Sequence, residues 1–316
     1  MKTLKFTNGD QMDAIGLGTW KSSDEKVKDA IKMALNNGYR HIDCAATYGN
    51  EAAIGEAFNE VFSEGKIKRE DVWITSKLWN NAHLPKDVKP ALEKTLKDLQ
   101  LDYLDLYLMH WPVAFKPDVS NPSGPEDFLS PEEAPIIDTW EAMTKLKNDG
   151  LTKHVGVSNF SVEKLNDLLA KTDDVPEMNQ VELHPLLQQD KLFEFCSNKG
   201  IHMTAYSPLG SGDRSDGMKQ DNEPNMMELD TVQALAKKHK VEPGQILIAW
   251  SHQRGTAVIP KSTSEGHIKS NIASAAVNFD KQDLKDLADL DRHYRYVTGK
   301  FFEVPEKGYK DIYDEN

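Results

Sequence analysis

The most constraining feature of this sequence is a regular alternation of short apolar strands with amphipathic helices. Eight strand–helix units follow one another between residues 15 and 274, and a hairpin with its turn at Asn8-Gly9 precedes them. Short strands that are apolar throughout are typical of parallel sheets covered by helices. The alternation leaves two architectures, a closed barrel and an open doubly wound sheet. Eight near-equal units favour closure, and we predict an α/β fold of the (β/α)8 TIM-barrel class with an N-terminal β-hairpin.

The period of the apolar residues places the elements along the chain. No Gly-x-Gly-x-x-Gly follows the first strand, which is evidence against a Rossmann half. No break in composition divides the units, so we expect residues 1–316 to form one domain. The predicted strands cover residues 15–18, 40–43, 72–76, 104–109, 155–157, 178–181, 202–205 and 257–259. The predicted helices cover residues 24–37, 51–62, 86–99, 137–148, 162–170, 191–198, 227–239 with 244–253, and 267–274.

Charge and composition restrict the possible partners. The chain carries 38 basic and 51 acidic residues, a formal net charge of −13 with neutral histidine. Such a surface repels phosphate backbones, so we expect neither nucleic acid nor an anionic membrane as a partner. No apolar run approaches the ~20 residues of a membrane span, and no signal-peptide core follows Met1. We therefore expect a cytoplasmic protein in which the two cysteines, Cys44 and Cys196, stay reduced.

Three irregular segments interrupt or follow the regular units. Residues 111–135 are rich in proline, residues 211–225 are rich in Gly, Asp and Asn, and the tail, residues 296–316, carries several aromatic side chains. Long irregular segments in a compact domain are usually functional or disordered, and variable surface insertion is the other interpretation. The first two segments follow the fourth and seventh strands, so they belong to the face where barrel active sites lie.

Polar residues cluster at one position in the units, at or near the carboxyl end of the strand. The carboxyl ends of parallel barrel strands converge on one mouth, so these side chains predict a shared active site. The pattern by itself does not name the reaction. The residues concerned, from strands two to eight, are Asp43, Lys77, His110, Ser158-Asn159, Gln180, Tyr206-Ser207 and Lys261-Ser262.

Four side chains of this group and its surroundings suggest acid–base chemistry. A Lys77–Asp43 ion pair in a partly dry pocket would favour the phenolate of Tyr48 and lower its pKa from about 10 toward neutrality. A tyrosine tuned in this way is a candidate general acid at neutral pH. His110, if neutral, could donate a hydrogen bond to a carbonyl oxygen on which negative charge develops. Each residue alone is more often structural, but their occurrence together at neighbouring strand ends favours catalysis.

Several stretches of the chain resemble the signature motifs of the aldo-keto reductases, in particular of proteins similar to aldose and aldehyde reductases. The resemblance extends over nearly the whole chain, from residue 16 to residue 271. It implies a barrel reductase that transfers a hydride between NADPH and a carbonyl group. The stretches are GYRHIDCAATYGNE at residues 38–51, LDLYLMHWP at 104–112, GVSNF at 156–160 and IPKS at 259–262.

The resemblance also implies roles for individual residues. Tyr48 would protonate the carbonyl oxygen, Lys77 and Asp43 would tune it, and His110 would orient the substrate. NADPH would be held along the mouth of the barrel, with Tyr206 stacked on its nicotinamide ring. The cofactor-binding residues would be Gly18, Thr19, Trp20, Asp43, Ser158, Asn159, Gln180, Tyr206, Ser207, Leu209, Ser211, Asp213, Lys261, Ser262, Thr263, His267 and Asn271.

The sequence departs from the family pattern at His267. Members that prefer NADPH typically have arginine there, stacked on adenine and paired with the 2′-phosphate. Neutral histidine can stack, but it offers neither a fixed charge nor a bidentate fork. Because Lys261 and Ser262 remain, we expect NADPH as the cofactor, with NADH possible and a smaller preference than usual.

The expected substrate is a small carbonyl compound, a sugar or another polar aldehyde or ketone. This expectation rests on Arg295, Lys300 and Lys307 in and beside the tail, and on the pair Asn80-Asn81. The resemblance further implies a monomer. The residues expected to line the substrate pocket are Trp20, Trp79, His110, Trp111 and Phe115.

Two other functions remain open at this point. A catalytically silent, reductase-like binding subunit would keep the fold, as potassium-channel β-subunits do, although the complete set of four residues is evidence against it. A barrel glycoside hydrolase would need two carboxylates at strand ends, and only Asp43 is present. We expect no metal site, because the histidines lack ligand spacing, and we interpret His184 as structural.

Overall fold

The computed structural model describes residues 1–315, without the side chain of Asp216. Its strands lie close to the predicted ones, and the hairpin forms at the predicted place. The strands are β1 (Thr3–Lys5), β2 (Gln11–Asp13), β3 (Leu17–Gly18), β4 (His41–Asp43), β5 (Trp73–Leu78), β6 (Leu104–Met109), β7 (Ala114–Phe115), β8 (Phe128–Leu129), β9 (Thr152–Ser158), β10 (Met178–Glu182), β11 (His202–Tyr206) and β12 (Ala257–Val258).

Eight of these strands form one parallel sheet in the order β12-β11-β10-β9-β6-β5-β4-β3. Its two edges meet through parallel bridges between Ile15 and Val258 and between Gly18 and Lys261. The amide of Gly16 donates to the carbonyl oxygen of Val258 at 2.9 Å across this seam. The sheet therefore closes on itself, and the predicted (β/α)8 barrel is confirmed.

The helices cover the outside of the barrel, and most of them turn an apolar stripe inward. In the first helix, for example, Val27, Ala30, Ile31, Ala34 and Leu35 are buried at the spacing that places them on one face. The helices are α1 (Asp24–Asn36), α2 (Glu51–Ser63), α3 (Pro85–Leu99), α4 (Ile136–Asn148), α5 (Val162–Leu169), α6 (Asp190–Lys199), α7 (Asp230–His239), α8 (Pro243–Arg254), α9 (Glu265–Ala273) and α10 (Lys281–Ala288).

Helix α10 and the strands β7 and β8 were not predicted from the sequence. Helix α10 has only eight residues, too few for an apolar period to repeat. Its signal is a capping box, in which the Asp280 carboxylate accepts from the amides of Gln282 and Asp283. The strands β7 and β8 pair within the proline-rich segment 111–135 as a two-residue ladder, which is too short to produce an alternating pattern.

The β1–β2 hairpin covers the end of the barrel at which the strands begin. Leu4 and Met12 face each other across the hairpin, and with Phe6 they pack against side chains of the barrel interior. The ring of Phe6 stacks on Trp73 with 4.7 Å between centroids. Because this end is filled, access to the barrel is from the opposite end, the mouth, where the strands finish.

The tail and the segment 111–135 pack together at the mouth. Trp111, Phe115, Phe302 and Ile312 belong to one buried cluster there, separate from the main core around the helices. The last tail residue, Asn316, lies outside the described residues. Cys44 and Cys196 are both buried, and neither forms a disulfide. Within residues 1–315, no helix combines the length and the apolar composition that crossing a membrane requires.

The contact between α2 and α3 depends on the absence of a side chain at Gly55. A Cβ atom at this position would lie 2.2 Å from the carbonyl oxygen of Asp98 and less than 3 Å from the backbone of Leu99. We expect Gly55→Ala to lower the free energy of unfolding by about 1–3 kcal/mol, because a backbone atom cannot move aside as a side chain can. Urea unfolding would measure the change. Gly266→Ala in α9 is the matched control, since its Cβ would meet nothing closer than 3.9 Å. Equal or greater stability of Gly55→Ala would contradict this interpretation.

Glu51 begins α2, and its carboxyl group is buried between β5 and α3. It accepts hydrogen bonds from the hydroxyls of Ser76 at 2.5 Å and Thr95 at 3.1 Å. Burial raises the pKa of Glu51 from 4.5 to about 7, although both hydroxyls act in the opposite direction. Because the folded-state pKa lies above that of the unfolded chain, ionisation of Glu51 costs stability as the pH rises from 4.5 through about 7.

We expect the substitution Glu51→Gln to remove this dependence, since glutamine does not ionise. The stability of the variant relative to the wild type should then increase between about pH 5 and about pH 8. Urea unfolding of both proteins at the two pH values measures the difference. A stability difference that does not change with pH would show that Glu51 is not the group that titrates.

Candidate active site

One large cavity, of about 830 Å³, opens at the mouth of the barrel. Most of the residues singled out in the sequence lie in its wall. Their placement follows from the parallel barrel, which brings the ends of distant strands together. The predicted residues that line the cavity are Gly18, Thr19, Trp20, Asp43, Tyr48, Trp79, His110, Trp111, Ser158, Asn159, Gln180, Tyr206, Ser207, Leu209, Ser211, Asp213, Lys261, Ser262, Thr263 and His267.

Lys77 and Asp43 form a buried ion pair beneath the cavity. Lys77 lies inside β5 rather than after it, because the strand continues two residues beyond the predicted end. Its ammonium donates to the Asp43 carboxylate at 2.5 Å and to the carbonyl oxygen of Cys44 at 2.8 Å. Burial alone would lower the pKa of Lys77, but the charge of the Asp43 carboxylate and its hydrogen bond outweigh burial, so the pKa is raised. Lys77 is therefore a fixed positive charge.

Tyr48 follows β4 in a single turn of 3-10 helix that ends at Gly49. The ammonium of Lys77 lies 5.2 Å from the centre of its ring. Burial nevertheless raises the pKa of Tyr48 to about 12, although Lys77 acts to lower it. The predicted shift toward neutrality is therefore wrong for this structure. A phenolate would lose its hydration here, and the ammonium that could compensate is already shared with Asp43. Tyr48 is accordingly a phenol that keeps its proton at neutral pH.

His110 follows β6 and lies between Tyr48 and Trp79. Its ring meets both aromatic rings edge to face, with centroids 5.9 Å from Tyr48 and 5.2 Å from Trp79. Burial, followed by the nearby Lys77 charge, holds the pKa of His110 well below its usual value. This favours the neutral imidazole, the state that the hydrogen-bonding role considered from the sequence requires. A neutral imidazole has one N–H, and Nδ1 of His110 has no hydrogen-bond partner among the described residues.

Gln180 and Ser158 lie on neighbouring strands beside the ion pair. The side-chain amide of Gln180 donates to the second oxygen of the Asp43 carboxylate at 2.7 Å. The Ser158 hydroxyl donates to the carbonyl oxygen of Gln180, also at 2.7 Å. Both oxygens of Asp43 are thus engaged, one by Lys77 and one by Gln180.

Asn159 connects His110 to Tyr206. Its backbone has a φ of 64°, in the left-handed region that asparagine tolerates better than most residues. The side-chain amide donates to the carbonyl oxygen of His110 at 3.0 Å, and its oxygen accepts from the Tyr206 hydroxyl at 2.7 Å. Tyr206 is held with its ring along the wall of the cavity.

The segment 211–225 lies along another side of the cavity. The hydroxyls of Ser207 and Ser211 are 2.7 Å apart. Asp213 joins two lysines, accepting from Lys261 on its carboxylate and from Lys21 on its carbonyl oxygen, both at 3.0 Å. Sequence reasoning missed Lys21, although it follows directly after a predicted site residue, Trp20.

Ser262, Thr263 and His267 surround the amino-terminal end of α9, with the His267 side chain exposed. The Ser264 side chain does not cap this helix. Asn271 is also among the predicted cofactor-binding residues, and that role stays a prediction. Asn271 lies further along α9, buried against the barrel, and does not line the cavity.

Aromatic rings line the part of the cavity next to Tyr48 and His110. Trp20, Trp79 and Trp111 lie in the wall, as predicted. Phe115 does not, because it is buried behind Trp79 and packs edge to face on it at 5.9 Å. Sequence reasoning missed several lining residues, and the concentration of aromatic residues in the tail was the signal for two of them. The missed residues include Asn121, Pro122, Met218, Met227, Val297, Phe301 and Phe302.

His184 is buried and lies 2.8 Å from the Glu182 carboxylate, a contact within the fold. In the described part of the chain, no three His, Cys, Asp or Glu side chains are grouped so that they could hold a metal ion.

Comparisons with known proteins agree with this geometry. The family model described as "Aldo/keto reductase family" matches residues 14–292. A protein of Synechocystis sp. described as an aldo/keto reductase is 48% identical over 317 residues, which covers 100% of this chain and 97% of that protein. The aldo-keto reductase family 1 member A1 proteins of Gallus gallus and Homo sapiens are each 46% identical, over 92% of this chain and 89% of their own length. The chain therefore belongs to the aldo/keto reductase family of oxidoreductases.

Proposed function

We propose that this protein reduces an aldehyde or ketone to the alcohol, with NADPH as hydride donor and Tyr48 as general acid. The observation that carries the proposal is the grouping of a protonated phenol, a neutral imidazole and a buried ammonium–carboxylate pair at one end of a long cavity. In this proposal the whole chain acts as one barrel domain. It works as a cytoplasmic monomer on small-molecule carbonyl compounds.

The chemistry of the cavity fits a nicotinamide dinucleotide phosphate. Near Tyr48, the Asp43 carboxylate and the amides of Asn159 and Gln180 suit a ribose and a carboxamide. The opposite part has serine and threonine hydroxyls, Lys261 and the uncapped amino-terminal end of α9, which suit phosphate groups. The exposed His267 stands where it could contact a 2′-phosphate. We therefore assign Asp43, Asn159, Gln180 and Lys261 to cofactor binding, with the other predicted lining residues.

The side chains around the phenol have separate tasks in this reaction. A bound reduced nicotinamide would supply the hydride for the carbonyl carbon. His110 donates a hydrogen bond to the carbonyl oxygen and holds it beside Tyr48, which gives that oxygen its phenolic proton. The Lys77 ammonium stabilises the phenolate that remains until water returns a proton to it. Asp43 keeps Lys77 charged and in place.

The walls favour a carbonyl compound with an apolar body over the sugar expected from the sequence. Trp20, Trp111 and Phe301 present rings to the cavity. The basic residues on which the sugar expectation rested have other positions. Arg295 is paired with Glu315 and Lys307 lies 4.0 Å from Glu133, while Lys300 is exposed and does not line the cavity.

The acid role of Tyr48 can be tested by removing its hydroxyl alone. We expect Tyr48→Phe to lower kcat for an aromatic aldehyde by about 10²–10⁴-fold, because the developing alkoxide loses its proton donor. NADPH binding should persist, since the ring remains. Turnover is followed by the loss of the cofactor's near-ultraviolet absorbance, and binding by the change in its fluorescence. Undiminished kcat in the variant would exclude Tyr48 as the acid.

The same pair of measurements separates the enzyme from a silent binding subunit. A wild-type protein that binds NADPH but reduces none of a panel of aldehydes and ketones would support the silent alternative. A protein that binds neither NADPH nor NADH would overturn the assignment of the cavity to a dinucleotide.

The role of His267 in cofactor preference can be tested by restoring a fixed charge. We expect His267→Arg to tighten NADPH binding by about tenfold or more, because arginine adds charge-assisted hydrogen bonds to a 2′-phosphate. NADH lacks that phosphate, so its Kd should change little and serves as the control. Fluorescence titration of both cofactors measures the ratio. An equal effect on both cofactors would place the 2′-phosphate away from residue 267.

A further inference from the structure

Arg214 is a buried arginine that the proposed chemistry does not use. It lies in the segment 211–225, which we call the cofactor loop, and its side chain is 0% exposed. Arginine is rarely buried unless its donors are paired, because its charge is costly to remove from water. Its contacts therefore show which segments of the chain Arg214 holds together.

Within the loop, Arg214 joins both halves. Its Nε donates to the carbonyl oxygen of Ser211 at 3.2 Å, and Nη1 donates to that of Met218 at 3.4 Å. Its Nη2 pairs with the Glu223 carboxylate at 2.5 Å. One side chain thus connects the beginning, the middle and the end of the cofactor loop.

The same guanidinium also reaches the start of the tail. We call residues 295–297 the tail root. Nη1 of Arg214 donates to the carbonyl oxygen of Tyr296, and the guanidinium lies 5.3 Å from the centre of the Tyr296 ring. Two further hydrogen bonds cross between the loop and the tail root. The side-chain amide of Gln220 donates to the carbonyl oxygen of Arg295 at 2.8 Å, and the Tyr296 hydroxyl donates to that of Pro224 at 2.6 Å.

From its other side, the tail root is held by the barrel. The Glu182 carboxylate, at the end of β10, accepts from the amides of Tyr296 and Val297, both at 2.7 Å. Val297 lines the cavity, and the tail continues into Phe301 and Phe302, which line it too. We call the lining formed by Val297, Phe301 and Phe302 the substrate wall. It begins at the tail root.

Arg214 and Glu182 bind the same peptide group, the one between Tyr296 and Val297. The carbonyl oxygen of Tyr296, which Arg214 binds, and the amide of Val297, which Glu182 binds, belong to the same peptide unit. A peptide unit is a rigid plane, so a displacement of its oxygen rotates the whole unit. Movement of the cofactor loop through Arg214 is thereby passed to Val297 and to the wall that follows it.

We propose that Arg214 is a positioning residue that couples the cofactor loop to the substrate wall. The proposal rests on the proposed function, since it takes the loop to cover a dinucleotide. A cofactor that orders the loop then also orders the tail root. The substrate wall is therefore ordered before the carbonyl substrate binds. Because such coupling is reciprocal, a ligand held by the wall also favours the ordered loop.

Hydrogen exchange provides a test that needs no turnover. In the wild type, saturating NADPH should slow amide exchange of the tail peptide 297–302 by about fivefold or more, the lower range of ordinary allosteric coupling. In Arg214→Gln at saturating NADPH, this slowing should be lost. Arg69→Gln is the matched control, because Arg69 also pairs with a carboxylate, two carbonyl oxygens and an aromatic ring, but at the opposite end of the barrel.

Steady-state kinetics give a second readout. Arg214→Gln should raise the NADPH Kd and also raise the KM for an aromatic aldehyde at saturating NADPH, with a smaller effect on kcat. Arg69→Gln should change neither constant. If Arg214→Gln does not fold, Arg214→Lys replaces it. Lysine keeps the charge but cannot reach Tyr296 and Glu223 together, so the protection of the tail should still be lost.

The outcomes separate this proposal from the proposed function. A wild-type protein that does not bind NADPH would overturn the proposed function and the coupling with it. A wild-type protein that binds NADPH without slowing exchange in the tail would overturn the coupling alone. So would an Arg214 variant that retains the protection, or one in which only the NADPH Kd changes.

Discussion

The buried pair of Lys77 and Asp43 is the interaction on which the rest of the site depends. Taking two charges out of water is costly, and the cost is offset only when each charge has good partners. Here the partners come from three strands, since Asp43 also accepts from Gln180 and Lys77 also donates to the carbonyl oxygen of Cys44. The closed barrel supplies this arrangement. Its strands bring Asp43 and Gln180, which are more than a hundred residues apart in sequence, to the same level along the barrel axis. Any shift of strand register would leave a charge unpaired, so the fold and the site stabilise the same geometry.

The same environment places three ionisable groups in three different states. Burial and the Lys77 charge keep His110 neutral, burial keeps the proton on Tyr48, and Asp43 keeps Lys77 charged. Separation of pKa values by environment is a general way in which a protein assigns acid and base roles at neutral pH. The low polarity that raises the pKa of Tyr48 also strengthens its attraction to the ammonium once a phenolate forms. The site therefore keeps Tyr48 protonated, and Lys77 offsets only part of the cost of a phenolate there.

The sequence predicted the parts of this structure that local rules determine. The eight units, the hairpin and the convergence of strand ends on one mouth follow from apolar period and from barrel geometry. Tertiary packing determined the parts that were missed or wrong. Phe115 follows Trp111 by four residues but is covered by Trp79. Phe302 lines the cavity although it lies in the tail, beyond the last helix. The pKa of Tyr48 depended on a balance between desolvation and one shared charge, and Arg214 gave no signal because its partners lie in two irregular segments.

The polar groups at the two ends of the cavity differ in what they offer to a ligand. Gln180 is hydrogen-bonded to Asp43, and Asn159 is hydrogen-bonded to Tyr206, so a ligand at this end exchanges existing contacts for new ones. The net gain of such an exchange is a small difference between similar energies. At the opposite end, the exposed His267 and the uncapped start of α9 can gain contacts outright. A ligand therefore gains more new hydrogen bonds beside His267 and the start of α9 than beside Asp43.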